Sequence, residues 1–184
     1  MKLTVVVCLT LAVFGAVFIG STSARGSLCD TAKDKVLCAQ LTGRAKRWDK
    51  AMTNALVGVK KRAEAGKSVA DVVAAKLPAD MLAITKESIV STCRDNYDTI
   101  MYSLDESLGL VKDDPTSALR PSISTISYFD CTNAISEFTA PVPEATHFDT
   151  ELLKLDDSLF ALTEKRRKKK KQPQQPCPGM GMCV

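Results

Sequence analysis

In "VSTCRDNYDTIMYSLDESLGLV", Val90 to Val111, and from the residue just before it, Ile89, Cys93, Tyr97, Ile100, Leu104, Leu108 and Val111 succeed one another in steps of three and four. That period belongs to an α-helix burying one seam against neighbouring helices. "DDPTS", Asp113 to Ser117, interrupts the pattern with a proline and closes the helix.

The same periodicity recurs on both sides. Upstream, Trp48, Met52, Ala55, Leu56, Val59 and Ala63 form a stripe, with Lys60, Lys61 and Arg62 ahead of a stop at Gly66. A short amphipathic helix is expected next, opened by Ser68 and Asp71 as a capping box and closed by Pro78. Downstream, Leu119, Ile123, Ile126, Cys131, Ala134, Ile135 and Phe138 read as one helix. It starts between Ser117 and Arg120, because Pro121 is tolerated only in a first turn. "TAPVPEATH", Thr139 to His147, reads as a loop, and Phe148, Leu152, Leu155, Leu159 and Leu162 then repeat by four, three, four and three. No stretch alternates as a half-buried strand would. The expected fold is all-α, an up-and-down four-helix bundle. Each stripe is ordinary core, and such regular bulky stripes predict a filled interior with no cavity for a carried lipid.

The ends of the chain differ from this body. "MKLTVVVCLTLAVFGAVFIGSTSARG" has one Lys, an apolar run from Leu3 to Ile19, and small residues at Thr22 and Ala24. This is the layout of a secretory signal peptide over residues 1–24, and the run is shorter than the roughly 20 residues a membrane span requires. At the other end stand Lys165, Arg166, Arg167, Lys168, Lys169, Lys170 and Lys171, followed by "QPQQPCPGMGMCV". Without Lys2 and these seven cations, 17 Lys and Arg face 21 acids, so residues 25–164 carry a net charge of −4. The basic balance therefore belongs to the appendage, 165–184, expected to be disordered, and implies no basic groove on the body. About 140 residues make one domain with a sizeable core.

Removal of the leader discards Cys8 and leaves Cys29, Cys38, Cys93, Cys131, Cys177 and Cys183. An even set in an oxidising compartment favours disulfides, while a zinc site lacks a facing His pair, since His147 is the only histidine. Six cysteines allow about 15 pairings. Were Cys29 and Cys38 in one straight helix, their Cα atoms would stand roughly 13 Å apart, so if they pair, "CDTAKDKVLC" must fold back as a hairpin. Cys93 and Cys131 each sit within a stripe, so a bond between them would pin two helices across the seam. "CPGMGMC" can close a small ring or pair between chains.

Taken in order, the leader, "LCDTAKDKVLC", the Cys93-x-x-x-Tyr97 helix with Leu104, Ser107 and Leu108, Cys131 in "SISTISYFDCTNAISEF", and "DDSLFALTE" resemble the plant invertase and pectin methylesterase inhibitor domain, over Leu28 to Thr163. The resemblance implies a four-helix bundle preceded by a helical hairpin, with Cys29 bonded to Cys38 and Cys93 to Cys131. It implies a secreted, non-catalytic inhibitor in the apoplast and cell wall that needs no cofactor and covers the substrate cleft of its target. Departures are Leu159 and Phe160 near an expected Asn, Pro121 early in the third helix, and the polybasic tail. Invertase-type members resemble one another in a Pro-Lys-Phe before the last helix. Here Pro143, Glu144 and Ala145 stand there, which, with the acidic body, points to pectin methylesterase as the target and leaves invertase as the alternative.

Other functions find less support. An enzyme would need a presented nucleophile, and no Gly-x-Ser-x-Gly elbow occurs; His147 reads as a helix-entry residue. Asp113/Asp114 and Asp156/Asp157 read as a helix break and a solvated face. The tail would bind any polyanion, and outside a plant cell that is acidic pectin, so no nucleic-acid partner is expected.

Overall fold

The computed structural model describes residues 28–113 and 118–170. All regular structure among them is helical: α1 (Lys35–Thr42), α2 (Trp48–Ala63), a 3₁₀ segment (Glu64–Ser68), α3 (Val69–Lys76), α4 (Ala83–Asp113), α5 (Leu119–Ile123), α6 (Phe129–Ser136) and α7 (Pro143–Lys170). Helix α2 packs on α4 and α7, while α5 and α6 both lie against α4 and α7, so four layers close into a ring. Through the 3₁₀ segment α3 continues the α2 layer, and α1 packs outside on α2 and α7. The result is a disulfide-stapled helical bundle with a filled interior in which Met52, Leu56, Ile100, Leu104, Leu119, Ile123 and Leu159 are fully buried.

The preceding hairpin is a turn followed by a helix. Leu28 to Thr31 form the turn, and Asp34 caps α1 by accepting from the Leu37 amide at 2.8 Å. Gly43 ends α1 at φ 62°, a conformation that glycine takes without steric cost, and its amide donates to the Ala39 carbonyl. The hairpin is docked by Thr31 Oγ1 donating to the Ala161 carbonyl and by Lys33, which reaches Asp157 with both its amide and its ammonium. Trp48 Nε1 donates to the Leu162 carbonyl at 2.8 Å and ties the start of α2 to α7.

Several boundaries differ from the sequence expectation. The third stripe is two helices, because hydroxyls between them compete for the backbone: Ser124 Oγ donates to the Pro121 carbonyl and Thr125 Oγ1 to that of Ser122. Pro121 does lie in the first turn of α5. Ser68 makes no side-chain cap, and Asp71 instead accepts from Arg94 on α4. Helix α2 ends at Ala63, just ahead of the stop expected at Gly66, which lies inside the 3₁₀ segment. A Cβ there would come within 1.9 Å of Phe148 Cζ, so the glycine makes room for the ring. Residues 143–147 of the expected loop form the first turn of α7, where Pro143 suits the first helical position. Helix α7 then runs to Lys170, past the boundary expected at Glu164, since Lys and Arg propagate helices and suit their C-terminal ends.

Candidate functional site

Two disulfides staple the structure, one in the hairpin and one across the helical ring. Cys29 and Cys38 are bonded with Cα atoms 5.8 Å apart, and Cys93 and Cys131 with Cα atoms 4.4 Å apart. Around the second bond, α4 supplies what the broken third helix lacks. Asn96 donates through Nδ2 to the Ser127 carbonyl at 3.0 Å and accepts from the Cys131 amide through Oδ1 at 3.2 Å. Asp149 on α7 accepts from the Tyr128 amide at 2.7 Å. Two of the orphan donors at the start of α6, the Tyr128 and Cys131 amides, are thus met by side chains of two other helices. The Tyr128 hydroxyl donates to the Cys93 carbonyl, and burial pushes its ionisation up to about 12.

A polar seam completes the α4–α5 contact. Ser107 is fully buried and donates to Ser122 Oγ at 2.9 Å. Ser122 faces Glu106 Oε2 at 2.8 Å and the Ser103 carbonyl at 3.1 Å, and Thr125 Oγ1 lies 2.6 Å from Ser103 Oγ. Hydropathy periodicity passes over these residues because serine carries no apolar signal.

The residues at the start of α7 are engaged. Pro143 is exposed and Ala145 is buried, while the Glu144 carboxylate takes a hydrogen bond from Lys76 of α3, which holds its ionisation below the usual range. At the far end Phe160, near the expected Asn, carries the Arg120 guanidinium 5.2 Å over its ring, and Leu159 is core. The acidic pair of α7 is not one solvated face. Asp157 holds Lys33, but Asp156 Oδ1 is buried without a hydrogen-bond partner. Burial, and after it the charge of Asp157, pushes the Asp156 carboxyl up to about 7.

A groove of about 820 Å³ opens between α1, α2, α3 and α7, outside the four-helix interior. Leu41, Val69, Phe148, Leu152 and Leu155 floor it, and Lys61, Arg62, Glu144, His147 and Glu151 rim it. The stripes mark residues that are buried, but they carry no information about a recess between the bundle and a hairpin packed outside it. His147 lies exposed on this rim, in the first turn of α7. No group of three or more His, Cys, Asp or Glu is placed to hold a metal ion, and no helix is long and apolar enough to cross a membrane, among the described residues.

Lys165 belongs to the folded body, with its ammonium 2.9 Å from Asp30 Oδ2. Arg166 to Lys170 continue α7. The expected leader, Lys171 and the pair Cys177 and Cys183 lie outside the described residues. No family model, curated protein or solved structure matches this chain.

Proposed function

We propose that the protein is a secreted inhibitor of pectin methylesterase, acting in the apoplast and cell wall by docking non-covalently over the enzyme's substrate cleft. The observation that carries this reading is the pairing of Cys29 with Cys38 and Cys93 with Cys131, one staple in a hairpin and one across a helical ring, in the arrangement the resemblance implies. Disulfides are the chemistry of an oxidising compartment and accord with a secreted protein. The body's net charge of −4 favours association with a basic enzyme. Glu144, where invertase-type members carry Lys, supports the esterase over invertase, and its ion pair with Lys76 ties that segment to α3.

The test is inhibition of purified pectin methylesterase and of acid invertase by the chain from Arg25 onward, with both disulfides confirmed by non-reducing peptide mapping. Inhibition of the esterase at micromolar concentration is expected. Inhibition of invertase alone transfers the reading to that enzyme, and inhibition of neither removes it.

A second reading, in which the tail binds acidic pectin, is favoured by the continuity of α7 through Lys170, which places Arg166 to Lys170 within one helix. Retention on demethylated pectin should then fall with salt and be lost on deleting Arg166 to Val184. Unchanged retention by the truncated chain at low salt would refute it.

A further inference from the structure

The groove outside the bundle has the chemistry of a small-molecule site. Its volume of about 820 Å³ is within the usual range for such sites, and its floor is made by side chains already withdrawn from water, Leu152 at 1% exposure and Leu155 at 2% among them. On the α2 side Gly58 and Ala65 stand in the wall, where larger side chains would occupy the space. Gly58 also lets α1 close in, since a Cβ there would meet Leu41 Cδ2 at 3.0 Å.

The rim carries Lys61 and Arg62 against Glu144 and Glu151. Glu144 is matched by Lys76 and Glu151 by Lys154, each through a hydrogen bond that holds the carboxyl below its ordinary range. Lys61 and Arg62 are exposed at the end of α2 and make no ion pair among the described residues, although Arg62 lies close enough to Glu151 to act on it through space. Each glutamate is held by a lysine from outside the lining, so Lys61 and Arg62 stand as two cations without an ion pair of their own beside the apolar trough.

We propose that this groove binds a small amphiphile with a single anionic head and an apolar body. The head rests on Lys61 and Arg62, and the body covers Leu41, Phe148, Leu152 and Leu155. The ligand's apolar body leaving water supplies most of the affinity, because the floor itself is little exposed, and the two cations select the sign of the head. This is separate from enzyme inhibition, since it needs only the groove and its rim.

Calorimetric titration of the chain from Arg25 onward with dodecanoate, below its micellar concentration, tests the assignment. One molecule should bind, and dodecyltrimethylammonium, of equal chain length, should bind about tenfold more weakly or worse. Lys61→Glu with Arg62→Glu should reverse that order. Ala65→Trp, at an exposed wall position, should abolish binding of both while helical content and melting temperature hold. Equal binding of the two head groups, binding that survives Ala65→Trp, or no binding overturns the proposal. So would displacement of dodecanoate by an amphipathic helical peptide that binds at least as tightly, because the groove would then belong to a protein partner.

Discussion

Asp156 is an acid that the fold tolerates best when neutral. Its Oδ1 is buried without a partner on α7, beside the Asp157 carboxylate, and its ionisation is raised from 3.8 to about 7. A group whose pKa is raised by folding contributes stability that is complete below its unfolded value and is lost as pH rises through the folded one. Between about pH 5 and about pH 8 a shift of that size removes about 2.5 kcal/mol by linkage, and partial exposure of the residue reduces this to about 1.5 kcal/mol. Asp156→Asn keeps the shape and cannot ionise. Urea titrations of the two proteins at both pH values isolate the effect, because every other titrating group is common to them. The variant's advantage over the wild type should be about 1.5 to 2.5 kcal/mol larger near pH 8 than near pH 5, worth about 4 to 8 °C in melting temperature, and should vanish only below about pH 4. A difference between the two proteins that does not change with pH would refute the assignment of a buried, raised carboxyl.

Three further outcomes follow from the packing. Cys93→Ala with Cys131→Ala opens the 38-residue separation and should lower stability by about 4 kcal/mol while raising the urea m-value, since the unfolded chain is released; peptide mapping of the parent must show these two residues joined. Asn96→Ala leaves the Cys131 amide and Ser127 carbonyl unmatched and should cost about 2 to 4 kcal/mol, with amide exchange accelerated at the start of α6 before other helices. Gly66→Ala forces a methyl into the Phe148 ring and should cost about 1 to 3 kcal/mol, and the loss should shrink when Phe148→Leu is already present, a coupling that urea denaturation of the four proteins measures.

Periodicity located the apolar faces well and the helix ends poorly. On α7, Leu152, Leu155, Leu159 and Leu162 are all at most 2% exposed, and on α4 Ile89, Cys93, Ile100, Leu104 and Val111 are buried as their spacing predicts. The break at Ser124 to Tyr128 was invisible because Leu119, Ile123 and Ile126 keep the helical step through it. Gly66 looked like a terminator because glycine so often ends helices, yet its role is to admit a ring from α7. The groove was equally hidden: Lys61 and Arg62 had an adequate local explanation at a helix C-terminus, and Glu144, His147 and Glu151 come near them only through folding.

The amino-acid sequence by itself determined that the chain is helical, which faces meet, and that an acidic body is followed by a cationic run. These depend on residue type and on spacing within one helix, so they are local. Tertiary structure alone decided that Asn96 and Asp149 cap the start of α6, that Asp156 loses water while Asp157 beside it holds Lys33, and that a hairpin outside the ring encloses an apolar groove under two cations. Each of those depends on which side chain arrives from a distant helix, and on how much water that arrival excludes.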